Sequence, residues 1–399
     1  MNMKIVMILT ITLAALAEFR PAMAQSIPES NHSPSMRKIR DVIIYRDTRF
    51  HSAFPSVVRR PDGTILLAFR RAPDRSVFGE KGTSHVDPNS YLVKVTSQDG
   101  VTWSAPELLY AHSFGGSQDP CLLQLRDGGL LCASYGWAFL RPPGGAEEHK
   151  GLSNTGDATF LGGYMLHSND GGRSWEGPLY PPPAESEVRI SPMGGPLPAY
   201  NRGALCEGRD GRIFWAVAIS EKKPATGGTK MSNYLLVSSD KGRSWEYQSQ
   251  IATDEKINFN ETSLYQTPKG DIVAFLRTAG NDDQPCITRS VDGGKTFSKW
   301  ESMGFQGHPL QALRLPDDRV LLVYGYRHKP FGIRAKILNA ECTDFKTAQE
   351  FVIRDDGGGS DLGYPWAVLL DDNKVLVTYY FNKDGGVRHI AGSILELLP

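Results

Sequence analysis

The chain has 399 residues, and Lys plus Arg equals Asp plus Glu, 44 against 44. A balanced charge sets up no overall field toward nucleic acid or an anionic membrane surface, so any partner is recognised at a local site. The length is above the usual prior for one domain, but closed β architectures often exceed that prior as a single unit.

At the N-terminus, Lys4 precedes an apolar run from Ile5 to Ala17, and Ala22-Met23-Ala24 follows as a small-x-small pattern. This reads as a removed export signal over residues 1–24, with a mature protein that is periplasmic or extracellular. The apolar run falls short of the ~20 residues that a membrane span needs, and no later stretch is long and apolar enough. Residues 25–40 read as a flexible lead, and residues 41–399 as one domain.

From there one pattern recurs six times: an apolar strand, a tight polar turn and a second apolar strand. The copies run Phe54–Arg70, Pro120–Tyr135, Gly203–Ile219, Glu261–Arg277, Pro309–Tyr324 and Tyr364–Tyr380. Their turns carry Asp62-Gly63, Asp127-Gly128, Asp210-Gly211, Lys269-Gly270, Asp317-Asp318 and Asp371-Asp372-Asn373, residues that tolerate the positive φ of short hairpins. The spacing leaves room for a four-stranded blade per copy. A second motif follows three of the hairpins, at Ser168–Trp175, Ser238–Trp245 and Ser290–Phe297, with a degenerate copy ending in Gly100-Val101-Thr102-Trp103. The last copy ends with a third strand, Val387 to Leu395, and Val42-Ile43-Ile44-Tyr45 is the natural fourth. Such pairing closes a ring and removes its exposed edges. The fold class is therefore all-β: a six-bladed β-propeller of four-stranded antiparallel meanders, closed by the N-terminal strand.

The five cysteines, Cys121, Cys132, Cys206, Cys286 and Cys342, lack CxxC spacing and read as buried free thiols. Cys121 and Cys132 flank one hairpin and are the pair best placed for a bridge. No histidine spacing suggests a metal site, and no cofactor is expected.

Strand parity in a meander places first-strand starts and second-strand ends at one face, and the turn between strands three and four at the other. The first face gathers His51, Asp119, Arg202, Glu261, His308 and Tyr364, with Arg70, Arg71, Tyr135, Trp137, Arg277, Tyr326, Arg327, Tyr379 and Tyr380. Arginines, carboxylates and tyrosines at one mouth suit an anionic sugar.

The second motif resembles the Asp-box, SxDxGxTW, of the sialidase superfamily, in which it is a structural turn. In that family a Tyr nucleophile is paired with a Glu, an Asp is acid/base, and three Arg hold the substrate carboxylate. Asn260-Glu261-Thr262-Ser263 and Arg277 look like the strand with the Glu and the second Arg, and Tyr326-Arg327 like the third. Tyr364, in Leu362-Gly363-Tyr364-Pro365, sits where the nucleophile is expected. Asp87, in His85-Val86-Asp87-Pro88, takes the acid/base role, with His85 and Asp74 as substitutes. The family's Arg-Ile-Pro reads Ala53-Phe54-Pro55 here, so the first arginine is absent; Arg70, or in part His51, could stand in for it. The resemblance implies a retaining exo-glycosidase acting on a terminal acidic sugar of a glycan or glycoconjugate. The alternatives are a propeller glycosidase or uronate lyase on another glycan, and a non-catalytic carbohydrate-binding propeller.

Overall fold

The computed structural model describes residues 36–78, 85–139, 154–155, 158–192, 194–224, 226–371, 373–383 and 386–398. The export signal therefore lies outside the described residues, as does the lead up to residue 35. Among the described residues no helix is long and apolar enough to cross a membrane.

Six antiparallel sheets form the blades of a β-propeller. Blade one consists of Phe50–Arg59, Ile65–Pro73, Tyr91–Ser97 and Glu107–Tyr110. Each of the six hairpins read from the sequence forms the inner pair of strands of a blade, with its polar turn at the loop. The last blade has Gly363–Asp371 innermost, then Lys374–Phe381, His389–Leu397 and, outermost, the N-terminal strand Met36–Tyr45. The ring thus closes as expected, but with a longer strand. Residues 36–40, assigned to the flexible lead, pair with residues 394–397, because Met36 buries its side chain and Arg37 ion-pairs with Glu396.

The three full Asp-boxes share one network. In the first, Ser168 Oγ donates to Asp170 Oδ1 at 2.8 Å, while Ser174 donates its N–H and its hydroxyl to the same carboxylate. The degenerate copy keeps it: Ser97, Asp99 and Thr102 make the corresponding bonds. Each box also seals a blade boundary. A Cβ on Gly172 (φ +84) would come within 2.9 Å of Leu66 in the preceding blade, and one on Gly100 would meet Leu370 of the last blade. Glycine supplies both the conformation and the close approach.

In five of the six blades the innermost strand is not regular. Ala53 faces Arg70 and Ser56 faces Ala68, so the inner strand holds one residue more than its partner. The same surplus separates Phe259 from Thr262 and Gly363 from Trp366. In blade two it breaks the strand into Gly116–Ser117 and Cys121–Gln124, a departure from the expected simple four-stranded meander. In blade three the strand is interrupted between Tyr200 and Cys206. A bulge bends its strand and re-aims a side chain. The residues within these breaks include Phe54, Asp119, Arg202, Glu261 and Tyr364.

All five thiols are free. Cys132 pairs with Leu122, and Cys121 with Ala133. Side chains alternate along a strand, so the two sulfurs point to opposite faces and join different core clusters. The bridge is thereby excluded.

Candidate active site

The bulges decide which groups meet. Arg277 lies opposite the bulge that carries Glu261, and Tyr135 opposite the break that carries Asp119, so each carboxylate gains its partner from the neighbouring strand. Arg277 Nη1 ion-pairs with Glu261, and Tyr135 Oη donates to Asp119 Oδ2 at 2.9 Å. From the last blade, Tyr364 Oη donates to Glu261 Oε1 at 2.6 Å and accepts from Arg277 Nη1 at 2.8 Å. The guanidinium carbons of Arg202, Arg327 and Arg277 stand 4.4, 5.1 and 5.9 Å from the centre of the Tyr364 ring. Tyr364 (φ 52) and Phe54 (φ 59) both hold a positive φ, a costly conformation for an aromatic residue, and their rings meet edge-on at 4.8 Å.

Protonation follows from these contacts. Burial lifts the Tyr364 hydroxyl above its ordinary range, with Arg277 opposing and Glu261 reinforcing, so the phenol is neutral. Burial also works against ionisation of Glu261, but the charges of Arg277 and Arg202 more than offset it and hold its carboxyl below the ordinary value. Asp119 is pushed up to about 6 by burial and by the nearby Glu261 charge. A neutral hydroxyl donating to an ionised carboxylate can pass its proton there as the oxygen becomes a nucleophile, and Arg277 faces the charge that develops.

A cavity of about 240 Å³ opens beside Glu261, walled by Tyr135, Trp137, Phe160, Tyr200 and Arg202. On the other side of Tyr364, Asp361 accepts from Tyr380 Oη at 2.8 Å and from Arg388 Nε at 2.9 Å. It also faces His51 Nε2 at 3.3 Å and His85 Nδ1 at 3.4 Å. Burial opposes its ionisation, yet the bonds from His51 and His85 keep its carboxyl far below the carboxylate range.

Residues 149–377 match the model of the BNR repeat-like domain. A crystal structure of a protein of unknown function from Dyadobacter fermentans is 66% identical, with a TM-score of 0.88, over 92% of this chain and 100% of that one. The chain belongs to the BNR repeat-like family. Its propeller is also that of sialidases. The Hadza microbial sialidase Hz136 superposes with a TM-score of 0.62 at 14% identity, covering 87% of this chain and 66% of that one. The NanB sialidase of Streptococcus pneumoniae gives 0.60 at 14%, covering 89% and 70%. At that identity the likeness concerns the fold. A comparison with curated protein sequences found no match.

Within this fold Glu261, Arg277, Arg327 and Tyr364 converge, although three blades supply them. Arg327 is anchored by Leu362 O at 3.0 Å and Tyr380 Oη at 2.9 Å. Arg202 lies beneath the Tyr364 ring, buried, donating to the carbonyls of Pro55 and Tyr364 at 3.3 Å. His308 is buried beside Arg277 and Arg327 and pushed down to about 2 by burial and their charges, so it is neutral. Arg70 is fully buried behind the Phe54 ring, 5.8 Å from its centre, with the charges of Asp87 and Asp119 near it. Asp87 is itself fully buried and accepts the Asn89 N–H at 2.8 Å, and its charge acts on Arg70. Sequence reasoning passed over Asp361 and Arg388. Asp361 closes the run Asp355-Asp356-Gly357-Gly358-Gly359-Ser360, which reads as a solvated loop; its only signal is its place just before Leu362-Gly363-Tyr364.

Proposed function

We propose that this protein is a retaining exo-glycosidase that removes a terminal acidic sugar, with Tyr364 as nucleophile and Glu261 as its base. The observation that carries the reading is the 2.6 Å hydrogen bond from a neutral Tyr364 to an ionised Glu261, ringed by the guanidiniums of Arg202, Arg277 and Arg327. A substrate carboxylate beside the anomeric carbon would repel an anionic nucleophile, whereas a neutral phenol avoids that repulsion; sialidases are the known exception to the two-carboxylate rule. The arginines supply the charge that would hold such a carboxylate. The signal-like residues 1–24 support export to the periplasm or the medium, where glycans and glycoconjugates are met.

In the proposed first half-reaction Tyr364 Oη bonds to the anomeric carbon as the glycosidic bond breaks, and its proton passes to Glu261. Water then attacks the anomeric carbon, the Tyr364–carbon bond breaks, and Tyr364 recovers its proton from Glu261. Screening purified protein against sialosides, uronides and neutral glycosides, with product identification, tests the class. Tyr364→Phe keeps the ring and removes the nucleophile, so kcat on the cleaved glycoside is expected to fall by at least about 1,000-fold with the fold intact. Full turnover by that variant, or an unsaturated uronide as product, would move the assignment to a lyase.

A further inference from the structure

The Tyr364–Glu261 pair accounts for the nucleophile but leaves the leaving group without a proton donor. Asp87, the sequence candidate, is fully buried, with one oxygen held by the Asn89 N–H and its charge felt by Arg70. His85, two residues earlier, is placed differently. Its side chain is 48% exposed, and its Nδ1 lies 3.4 Å from Asp361 Oδ1. Its backbone is fixed by blade two, where Gln118 Nε2 donates to the His85 carbonyl at 2.8 Å. The imidazole meets the Phe54 ring edge-on at 4.9 Å, and Phe54 meets Tyr364 at 4.8 Å. The Phe54 ring therefore touches both the imidazole and the nucleophile.

Asp361 is in turn fixed by Tyr380 at 2.8 Å, Arg388 at 2.9 Å and His51 at 3.3 Å. A carboxylate bonded to Nδ1 sets the tautomer of a histidine, directs Nε2 outward and stabilises the imidazolium.

We propose that His85, oriented by Asp361, is the general acid/base of this site. The assignment rests on the Tyr364–Glu261 reading above. In the first step His85 Nε2–H gives its proton to the leaving oxygen as the C–O bond breaks and the Tyr364 Oη–carbon bond forms. In the second, neutral Nε2 takes a proton from the attacking water, whose oxygen bonds to the anomeric carbon. Tyr364 leaves and recovers its proton from Glu261. Asp361 is a positioning residue. It touches His85 and not the reacting atoms.

Leaving-group dependence separates this role from a structural one. The probes are 4-nitrophenyl and benzyl glycosides of whichever panel sugar the wild type cleaves. A 4-nitrophenolate needs no proton to depart, whereas a benzyl alkoxide does. His85→Ala and His85→Gln, checked for folding by circular dichroism, are expected to lose about 100-fold or more on the benzyl glycoside. On the 4-nitrophenyl glycoside the first step is expected to keep most of its rate, and added azide should yield a glycosyl azide that the wild type does not form. Asp361→Asn should give the same pattern in weaker form. Equal losses on both glycosides without azide product would overturn the assignment. The same signature in Asp87→Asn or Asp119→Asn, and not in the His85 variants, would place the acid there. Wild-type protein that cleaves no panel glycoside would instead defeat the Tyr364–Glu261 reading, and this one with it.

Discussion

Asp119 carries a cost that its surroundings explain. Its side chain is buried, one oxygen accepts from Tyr135, and the charge of Glu261 lies close by. Its folded value of about 6 stands above the ordinary 3.8, so between these limits the native state holds a proton that the unfolded chain has released. Stability then falls as pH rises through that window and stays reduced above it. Asp119→Asn removes the titration and keeps an acceptor for Tyr135. Thermal melts should find its stability gain over the wild type growing from pH 4 to about pH 6 and level beyond. A gain that does not vary with pH would show that Asp119 is not held protonated. Tyr364 and Phe54 lie at the same scale: two aromatic residues kept at positive φ mark the place where backbone strain is tolerated so that a ring can face the axis.

At the scale of elements, the bulge and the Asp-box do opposite jobs. The bulge re-aims a side chain of an inner strand; the box locks the far end of a blade against its neighbour. In the second full box Asp240 accepts from Ser238 Oγ at 2.8 Å, Ser244 N at 2.8 Å and Ser244 Oγ at 2.6 Å. Asp240→Ala should cost about 1–2 kcal/mol in denaturant melts and leave turnover unchanged, since the turn lies at the end remote from Tyr364. A loss of activity without loss of stability would contradict the purely structural role. The hairpins were legible because turn residues and apolar runs are local signals. The bulges were not: a surplus residue such as that between Ala53 and Ser56 is defined only against the partner strand. Even so, parity alone placed Glu261, Arg277, Arg327 and Tyr364 at one mouth, and the structure brings them together.

Across the molecule, closure by the strand Met36–Tyr45 makes the convergence possible, because Tyr364 comes from the blade that this strand completes. The closing strand was readable from a missing element at the C-terminal end. Asp361 was not, since a carboxylate in a glycine-rich stretch gains its meaning only from His51, His85 and Arg388, distant in sequence. The same holds for Arg202, whose buried place beneath Tyr364 depends on three blades meeting at the axis. The central claim is that Tyr364 forms a covalent bond to the sugar. It is tested most directly by incubating the protein with a fluorinated glycosyl fluoride of the cleaved sugar, whose added fluorine slows breakdown of the intermediate, and mapping the modified peptide by mass spectrometry. The proposed mechanism predicts one sugar on the peptide containing Tyr364, absent from Tyr364→Phe; an adduct on another residue, or turnover with inverted product and no adduct, would contradict it.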